Sequence, residues 1–347
     1  MPDTLATSSL DFPWAERPAA LEPIEVAPGL LWLCLPLPFA LNHVNLWLLD
    51  DGDGWTLIDT GIDTDPLRQV WDNLLAGPLD GLTINRIVVT HFHPDHVGLA
   101  GWLCGRFKAP LFMPRTDWMK ARWLSLDDSD RLAAGNTAFY AKAGVEPAAL
   151  LEIANRGNMY ARRVSPVPRN FNRLIDGNTI QMGGGDWSII TTPGHAPEMT
   201  CFYSAERQVF IAADHILPEI SPNVGVWGDE QDANPLDEFK HSLEKVRQQV
   251  PDDCLVLPSH GRPFRGLHGR IDWLLAHHEE RLNATLTACR DPATAKQVML
   301  QLFDRQLDPH QWGFAMGEAL AHLHALMAKG AVTRQMADDG AYRYKAN

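Results

Sequence analysis

Four side chains with imidazole or carboxylate groups crowd into one short run of the sequence. The run reads Val-Val-Thr-His-Phe-His-Pro-Asp-His-Val-Gly, and the four are His91, His93, Asp95 and His96. Imidazole nitrogen and carboxylate oxygen suit Zn²⁺, iron and Mn²⁺. His91 and His93 alternate along an extended segment, so both can face one metal. Pro94 then redirects the chain, which lets Asp95 and His96 face a second. The run therefore predicts a centre for two metal ions.

The segments on either side predict where this run lies in the fold. Residues 86–90 are short, apolar and β-branched, which is typical of a buried strand. Residues 99–104 follow Gly98 and indicate the start of a helix. A turn of this kind, at the carboxyl end of a strand, is where an open α/β sheet presents its ligand site.

Three further apolar strands end in a residue that can bind metal. They are residues 187–195, 208–214 and 254–260, which end at His195, Asp214 and His260. One such residue at a strand end is usually structural, but three in order after a histidine-rich turn are hard to explain in that way. A fourth strand, in residues 55–61, ends at Asp59. A carboxylate there can hydrogen-bond the ligand histidines and the turn backbone.

Together these segments resemble the metallo-β-lactamase superfamily. The matching elements are Asp59-Thr-Gly61, Thr90 to His96, Gly194-His195, Asp214 and His260-Gly261, and they span roughly residues 25 to 265. The resemblance implies an α/β fold, a four-layer αββα sandwich with a metal pair at one edge. It implies that His91, His93 and His195 hold the first metal, that Asp95, His96 and His260 hold the second, and that Asp214 bridges. Every position of the two-metal pattern is filled, which argues against branches that have dropped one site.

The implied reaction is hydrolysis by a hydroxide that bridges the two metals. One metal stabilises the oxyanion, and no nucleophilic Ser or Cys is needed. Asp95 and Asp214 are the predicted catalytic residues, because carboxylates beside the nucleophile can shuttle protons. Zn²⁺ is the favoured ion, with iron and manganese open because the ligands include no thiolate. The favoured substrate is a small ester, thioester or lactone.

Three other activities stay open on this resemblance. The main alternative is a metal-dependent endoribonuclease or phosphodiesterase, which the acidic charge and the lack of a large inserted nuclease domain disfavour. A β-lactamase would need export, for which no signal is visible. Iron-dependent oxygen chemistry is disfavoured because diiron reductases of this fold replace the second histidine of the turn with Glu, whereas this chain has His93. A non-enzymatic binding module is disfavoured by the complete ligand set.

The composition of the chain favours some cellular compartments and binding partners over others. The 347 residues carry a net charge of −13, which disfavours general affinity for nucleic acid or anionic membranes. The five cysteines form no CxxC pair, and most lie in apolar runs, so buried thiols in a reducing compartment are expected. The first ten residues lack a basic start and an apolar core, and no apolar run is long enough to span a membrane. A cytoplasmic location and a small-molecule substrate are therefore expected.

We expect a catalytic domain over residues 1–266 with a helical insert at about 115–176. The insert should contain a helix capped at Thr116, a second helix over 130–143 and a third from Pro147. It is interpreted as a lid over the cleft, with a packing elaboration far from the metals as the alternative. Candidate substrate contacts are Phe39 on an apolar loop, Tyr160 in the insert and Trp227 on a loop rich in Gly and Pro. Arg162 and Arg163 are further polar candidates in the insert.

Residues 267–347 should form a C-terminal domain. Helices over 271–287, 291–305 and 312–329, followed by a hairpin over 331–344, match a winged-helix module. Winged helices often bind nucleic acid, but residues 270–347 contain nine Lys/Arg and nine Asp/Glu, so no basic patch is evident. A structural or dimerisation role is favoured, with a homodimer as the possible partner.

Overall fold

The computed structural model describes residues 10–127, 129–303 and 306–347. Its first sheet has seven strands in chain order. They are β1 Ile24–Ala27, β2 Leu30–Pro36, β3 His43–Asp50, β4 Trp55–Ile58, β5 Ile84–Val88, β6 Leu111–Pro114 and β7 Asn172–Leu174. The strands from β1 to β4 pair antiparallel, and those from β4 to β7 pair parallel. The parallel half therefore turns the carboxyl ends of β4 and β5 to the same edge.

The second sheet has five strands in the order β12-β11-β10-β9-β8. They are β8 Thr179–Met182, β9 Gly185–Thr191, β10 Thr200–Ser204, β11 Val209–Ala213 and β12 Leu255–Pro258. Only β11 and β12 pair parallel in this sheet. Both of these strands are buried along their whole length, as expected for parallel strands covered on two faces.

Helices cover the outer face of each sheet. They are α1 Asp65–Leu75, α2 Pro94–Val97, α3 Ala100–Phe107, α4 Arg115–Leu126, α5 Ser129–Lys142, α6 Pro147–Asn155, α7 Pro235–Gln249, α8 Leu267–Ala288, α9 Ala295–Leu302 and α10 Pro309–Ala328. Helix α1 shows why they form: Thr64 caps its start by accepting from the Leu67 N–H, and Leu67, Trp71 and Leu74 make one buried face.

Three apolar clusters hold these layers together. One lies between the sheets and includes Trp32, Trp47, Trp187 and Phe202. The second joins the first sheet to α1 and α3, and the third joins the second sheet to α7 and to the C-terminal helices. The expected four-layer αββα sandwich is therefore confirmed.

The helical insert lies between β6 and β7 and contains α4, α5 and α6. Its first helix begins at Arg115, one residue before the expected cap, so the assignment of Thr116 as the cap is wrong. Pro114 is extended and starts the helix, while the Thr116 N–H donates to the Glu198 carboxylate at 2.7 Å. Because β7 pairs with β6, the insert closes before residue 172 rather than near 176.

The C-terminal segment has the three expected helices and a hairpin of β13 Val332–Met336 and β14 Tyr342–Ala346. Helix α9 begins at Ala295 rather than 291, because Thr294 and Gln297 form a capping box. Its expected last residue, Arg305, lies outside the described residues. The same holds for residues 1–9, so the prediction about a signal peptide is not tested. The winged-helix identity and the boundary at 266 stay predictions. No helix in the described ranges has the length and apolarity needed to cross a bilayer.

Candidate metal centre

Strand ends from both sheets bring the seven predicted ligands to one edge of the sandwich. The turn after β5 carries His91, His93, Asp95 and His96, while His195 follows β9, Asp214 follows β11 and His260 follows β12. Their ligand atoms form three groups within which all atoms lie within 4.8 Å of one another: His91 with His93 and His195, His91 with His96 and Asp214, and Asp95 with His96 and His260. Shared members join the three groups into one cluster.

The first group consists of three imidazoles whose ring nitrogens face one another. His93 Nδ1 lies 3.0 Å from His91 Nε2 and 2.9 Å from His195 Nε2. Burial, followed by the neighbouring histidines, holds the pKa of His91 and of His93 well below the usual value. Neutral imidazoles with converging lone pairs are the form in which histidine binds metal.

The second group combines histidines with carboxylates. His96 Nε2 lies 3.6 Å from Asp95 Oδ2, and His260 Nε2 lies 3.5 Å from the same oxygen. Burial disfavours charge on His96, but Asp95, Asp214 and Asp59 outweigh it and raise its pKa well above the usual value. Burial likewise opposes charge on His260, and Asp214 is the main cause that raises its pKa. This part of the cluster therefore attracts positive charge.

Asp214 lies between the two groups. Its Oδ2 is 3.3 Å from His195 Nε2, and its Oδ1 is 3.5 Å from His96 Nε2 and 3.4 Å from His260 Nε2. Burial would raise the pKa of Asp214, but His260 and His96 hold it well below the usual range. Asp214 Oδ1 and His96 Nε2 are both buried without a hydrogen-bond partner. Such orphaned atoms are costly, and a shared cation would satisfy both, so the residues present fit a metal ion.

The outer ring nitrogens of the histidines have fixed partners. His195 Nδ1 donates to the Asn223 carbonyl at 2.7 Å, and His260 Nδ1 donates to the His43 carbonyl at 2.7 Å. In the neutral ring each Nδ1 then carries the proton, and each Nε2 presents a lone pair to the cluster.

Asp59 contacts both a ligand histidine and the turn backbone. Its Oδ2 is 2.8 Å from His96 Nδ1, and its Oδ1 accepts from the Thr90 N–H at 2.8 Å. Asp59 itself is in the left-handed region with φ of 60°, which Asp tolerates better than most residues. The strained backbone is what aims this carboxylate under His96.

The cluster opens into a metal-side cavity of about 640 Å³. Its walls include the loop that carries Phe39 and Leu41, the segment from Leu217 to Asn223, and Phe314 of α10. A second cavity of about 460 Å³, the insert cavity, lies under α4 and α5 and shares His93 and Phe314 with the first. A larger cavity, about 780 Å³, contains none of the seven ligands. The insert thus forms one wall of the space next to the ligand cluster.

Two segments of the chain match known protein families. Residues 40–260 match the family described as the metallo-beta-lactamase superfamily, and residues 282–347 match a metallo-beta-lactamase-like C-terminal domain. The chain belongs to the metallo-β-lactamase superfamily. It is a hydrolase of that superfamily with a cluster of candidate metal ligands.

Similar proteins span nearly the whole of this superfamily member. A beta-lactamase domain protein from Burkholderia ambifaria is 40% identical, covers 99% of this chain and 100% of its own, and superposes with a TM-score of 0.90. A metallo-beta-lactamase family protein from Thermus thermophilus is 31% identical over 93% of this chain and 100% of its own, with a TM-score of 0.79. A probable metallo-hydrolase, YqjP of Bacillus subtilis, is 25% identical over 86% of this chain and 92% of its own.

The three predicted substrate contacts of this superfamily member lie in different cavities. Phe39 lines the metal-side cavity. Tyr160 and Trp227 line the insert cavity instead, where the Tyr160 hydroxyl donates to the Phe92 carbonyl and the Trp227 ring meets Phe314 edge-on. The two cavities share His93 and Phe314 in their walls, so the three side chains lie in neighbouring cavities.

Asp117 is a residue of the centre that sequence reasoning missed. It is buried at the start of α4 and accepts from the Phe92 N–H at 3.0 Å and the Glu198 N–H at 2.8 Å. Burial raises its pKa to about 7, and the two backbone bonds partly oppose that rise. Asp117 therefore ties the insert to the turn between His91 and His93. No local pattern marks it, because its partners are remote in sequence.

Proposed function

We propose that the protein is a dinuclear metal-dependent hydrolase, with Zn²⁺ as the preferred ion, that cleaves a small ester, thioester or lactone. The observation that carries this proposal is the overlap of the three ligand groups around Asp214 and His96. One compact group would suit a single ion, whereas overlapping groups with shared members suit two adjacent ions. Bound divalent ions would supply Lewis acidity for a carbonyl oxygen and water that ionises at neutral pH.

The residues of the cluster have different proposed roles in binding the two ions and in catalysis. His91, His93 and His195 are the proposed ligands of one ion, and Asp95, His96 and His260 those of the other. Asp214 is the proposed shared ligand, which is supported by its two oxygens facing different histidines. Asp95 and Asp214 are the proposed carriers of the proton between the attacking water and the leaving group. Asp95 suits this role because it also lines the metal-side cavity.

The cavity walls support an acyl substrate. Leu37, Phe39 and Leu41 form an apolar rim over the metal-side cavity, and Phe314 separates it from the insert cavity. An apolar wall favours an alkyl or aromatic acyl group by removing its surface from water. We therefore propose Phe39, Tyr160 and Trp227 as substrate contacts, with the insert cavity as the space for the longer end of the molecule.

The alternative substrate, a phosphodiester in RNA, is disfavoured by charge. Nucleic-acid sites neutralise several phosphates with rows of Lys and Arg. Among the described residues that line the metal-side cavity, one carries a full positive charge, Arg163. The whole chain has a net charge of −13. A single cation suits a small anionic molecule better than a polyanion.

A hydrolysis screen with measured metal content tests the proposal. Protein purified without chelator should contain close to two transition-metal ions per chain, and it should cleave esters, thioesters or lactones in preference to phosphodiesters and β-lactams. Chelation should abolish the cleavage, and added Zn²⁺ should restore it. A stable content of one ion in metal-replete protein would remove the dinuclear mechanism. Metal-dependent RNA cleavage with steeply salt-sensitive binding would establish the alternative.

A further inference from the structure

The metal-side cavity contains a cation that the ligand cluster does not use. Arg163 is half-buried at the edge of this cavity, and its guanidinium lies 4.9 Å from the centroid of the Phe39 ring. Burial lowers the pKa of Arg163, and the charge of Asp95 partly opposes that change. Since arginine stays protonated under all ordinary conditions, the cavity holds a permanent positive charge beside the metal ligands.

The guanidinium of Arg163 has no carboxylate partner in the described part of the chain. No Asp or Glu oxygen there lies within 4.0 Å of it, and its side chain makes no hydrogen bond to a described residue. Partial removal of this charge from water is unfavourable, and the charge of Asp95 offsets that cost only in part. Arginine usually recovers that cost by binding an oxyanion through two parallel N–H donors.

The backbone around Arg163 is anchored to the sandwich. The Arg163 N–H donates to the Tyr160 carbonyl at 2.9 Å, and the Arg163 carbonyl accepts from the Asp63 N–H at 2.9 Å. Two residues later, Ser165 donates through both its N–H and its hydroxyl to the Gly98 carbonyl at 2.7 Å. These bonds hold the backbone at Arg163 beside the turn that carries the candidate metal ligands.

Arg162 provides a contrast from the neighbouring position. It is exposed, its guanidinium has a weak contact of 3.9 Å with Met159 Sδ, and it lines neither the metal-side cavity nor the insert cavity. Of two adjacent arginines, one faces the cavity and the other faces outward. The pair offers a matched comparison of equal charge at nearly the same place in the chain.

We propose that Arg163 is a specificity residue that binds an oxyanion, most simply a carboxylate, carried by the substrate at a distance from the bond that is cleaved. This proposal rests on the proposed hydrolase function and deepens it, because it names the class of substrate as an anionic acyl ester or thioester. Phe39 packs on the guanidinium and leaves its N–H edge for the anion. The apolar rim then holds the carbon chain between the anion and the acyl group.

Kinetics on a matched pair of esters tests the proposal. The 4-nitrophenyl monoester of glutarate carries a free carboxylate, and 4-nitrophenyl pentanoate is a neutral ester of the same chain length. Arg163→Gln should lower kcat/KM on the glutarate ester by about 10- to 100-fold, mainly through KM, because a hydrogen bond to a charged group is lost. The pentanoate ester should change by less than about 3-fold, which also shows that the variant is folded. Arg163→Lys should recover part of the loss, and Arg162→Gln should change neither ester.

A binding measurement separates this proposal from the hydrolase proposal. Calorimetric titration of the metal-loaded protein with glutarate and with inorganic phosphate should show binding that Arg163→Gln weakens at least about 10-fold and Arg162→Gln leaves intact. Tighter binding of phosphate than glutarate, still dependent on Arg163, would support the site and assign phosphate as its anion. Hydrolysis of both esters with equal loss in Arg163→Gln, or glutarate binding that ignores Arg163, would overturn the proposal. Arg163-dependent binding without any ester hydrolysis would uphold the anion site while refuting the proposed function.

Discussion

Two histidine clusters among the described residues differ in the carboxylates around them. The metal centre has five histidines grouped with Asp95 and Asp214. The second, which we call the C-terminal histidine cluster, is formed by His277 and His278 on α8 and His322 on α10. In that cluster His278 Nδ1 lies 3.3 Å from His322 Nε2, yet no described group of candidate metal ligands includes either residue.

The two clusters show how burial and neighbouring carboxylates together set the pKa of a histidine, since burial still lowers the pKa of His277 although Glu318 opposes the change. In the C-terminal cluster burial lowers the pKa of His278 well below its usual value and that of His322 to about 4. In the metal centre the aspartates reverse this effect at His96 and His260. Converging carboxylates therefore distinguish the candidate metal centre from the C-terminal cluster, whereas a lowered pKa does not, because His91 and His93 share it.

The largest effect is expected when the carboxylate of Asp214 is removed. Asp214→Ala should lose most of its metal and its hydrolytic activity, because Asp214 faces His96, His195 and His260 at once. Elemental analysis and ester hydrolysis measure the two losses. His278→Gln serves as the control and should retain wild-type metal content. A variant without Asp214 that still binds two ions would show that the histidines suffice.

A smaller loss is expected when Asp59 is changed to Asn. Asn keeps the size of the side chain and tolerates the left-handed backbone, but it removes the charge beneath His96. Changes to groups that orient a metal-bound histidine typically cost 10- to 100-fold in affinity or activity, and we expect a loss of about that size. Competition with a chromogenic chelator measures the affinity. Metal loss equal to that of Asp214→Ala would contradict the ranking of the two aspartates.

The C-terminal cluster predicts a pH dependence of stability. Folded His322 stays neutral down to about pH 4, whereas an unfolded histidine takes up a proton below about pH 6.5. Protons therefore bind preferentially to the unfolded state in this window, and stability falls as the pH is lowered. From pH 7.5 to 5, His322 should account for a loss of about 2 kcal/mol.

Urea unfolding of wild type and His322→Gln at both pH values measures this contribution. The variant should lose less stability between them than the wild type, since glutamine does not titrate. Acid release of metal is common to both proteins and cancels in the comparison. Equal losses in the two proteins would show that His322 is already protonated in the folded state.

The smallest effect is expected at an ion pair on the surface between the insert and the C-terminal helices. Lys296 contacts Glu146, whose side chain is 62% exposed. Exposed pairs of this kind contribute at most about 1 kcal/mol. Lys296→Met should therefore change the free energy of unfolding by less than that and leave metal content unaltered. A larger loss would show that charge pairs matter outside the metal centre as much as within it.

The sequence was sufficient to locate the candidate ligands because each follows a strand with a clear apolar pattern. Asp214 directly follows β11, and His260 and His195 come shortly after β12 and β9. Strands β11 and β12 pair parallel, and β9 runs in the same direction as β11 because both pair antiparallel with β10, so the three strand ends lie at one edge. The hydrogen bonds that orient these ligands could not be predicted from the sequence. Asp117, the Asn223 carbonyl and the His43 carbonyl reach the centre from segments far away in the chain.

The insert marks another limit of sequence reasoning. The apolar stripes in the sequence predict its helices. The residues after α6 show no hydrophobic periodicity, so the sequence does not indicate which side chains face inward. Arg162 and Arg163 were therefore equivalent candidates, and only the backbone bonds to Asp63 and Gly98 separate them. Likewise Tyr160 and Trp227 line a second cavity whose existence depends on how α4 and α5 cross the sandwich.

The spread of the ligand cluster over both sheets also sets an order of events during protein synthesis. His91 and His93 emerge from the ribosome long before His195, and Asp95 and His96 long before His260. The first group lacks His195 until β9 has been translated, and the third lacks His260 until β12 has been, although earlier parts of a chain can begin to fold during translation. We therefore expect the proposed metal binding to begin only after residue 195 has been translated. Nascent chains stalled before residue 195 should bind Zn²⁺ no more tightly than an unstructured peptide with the same turn.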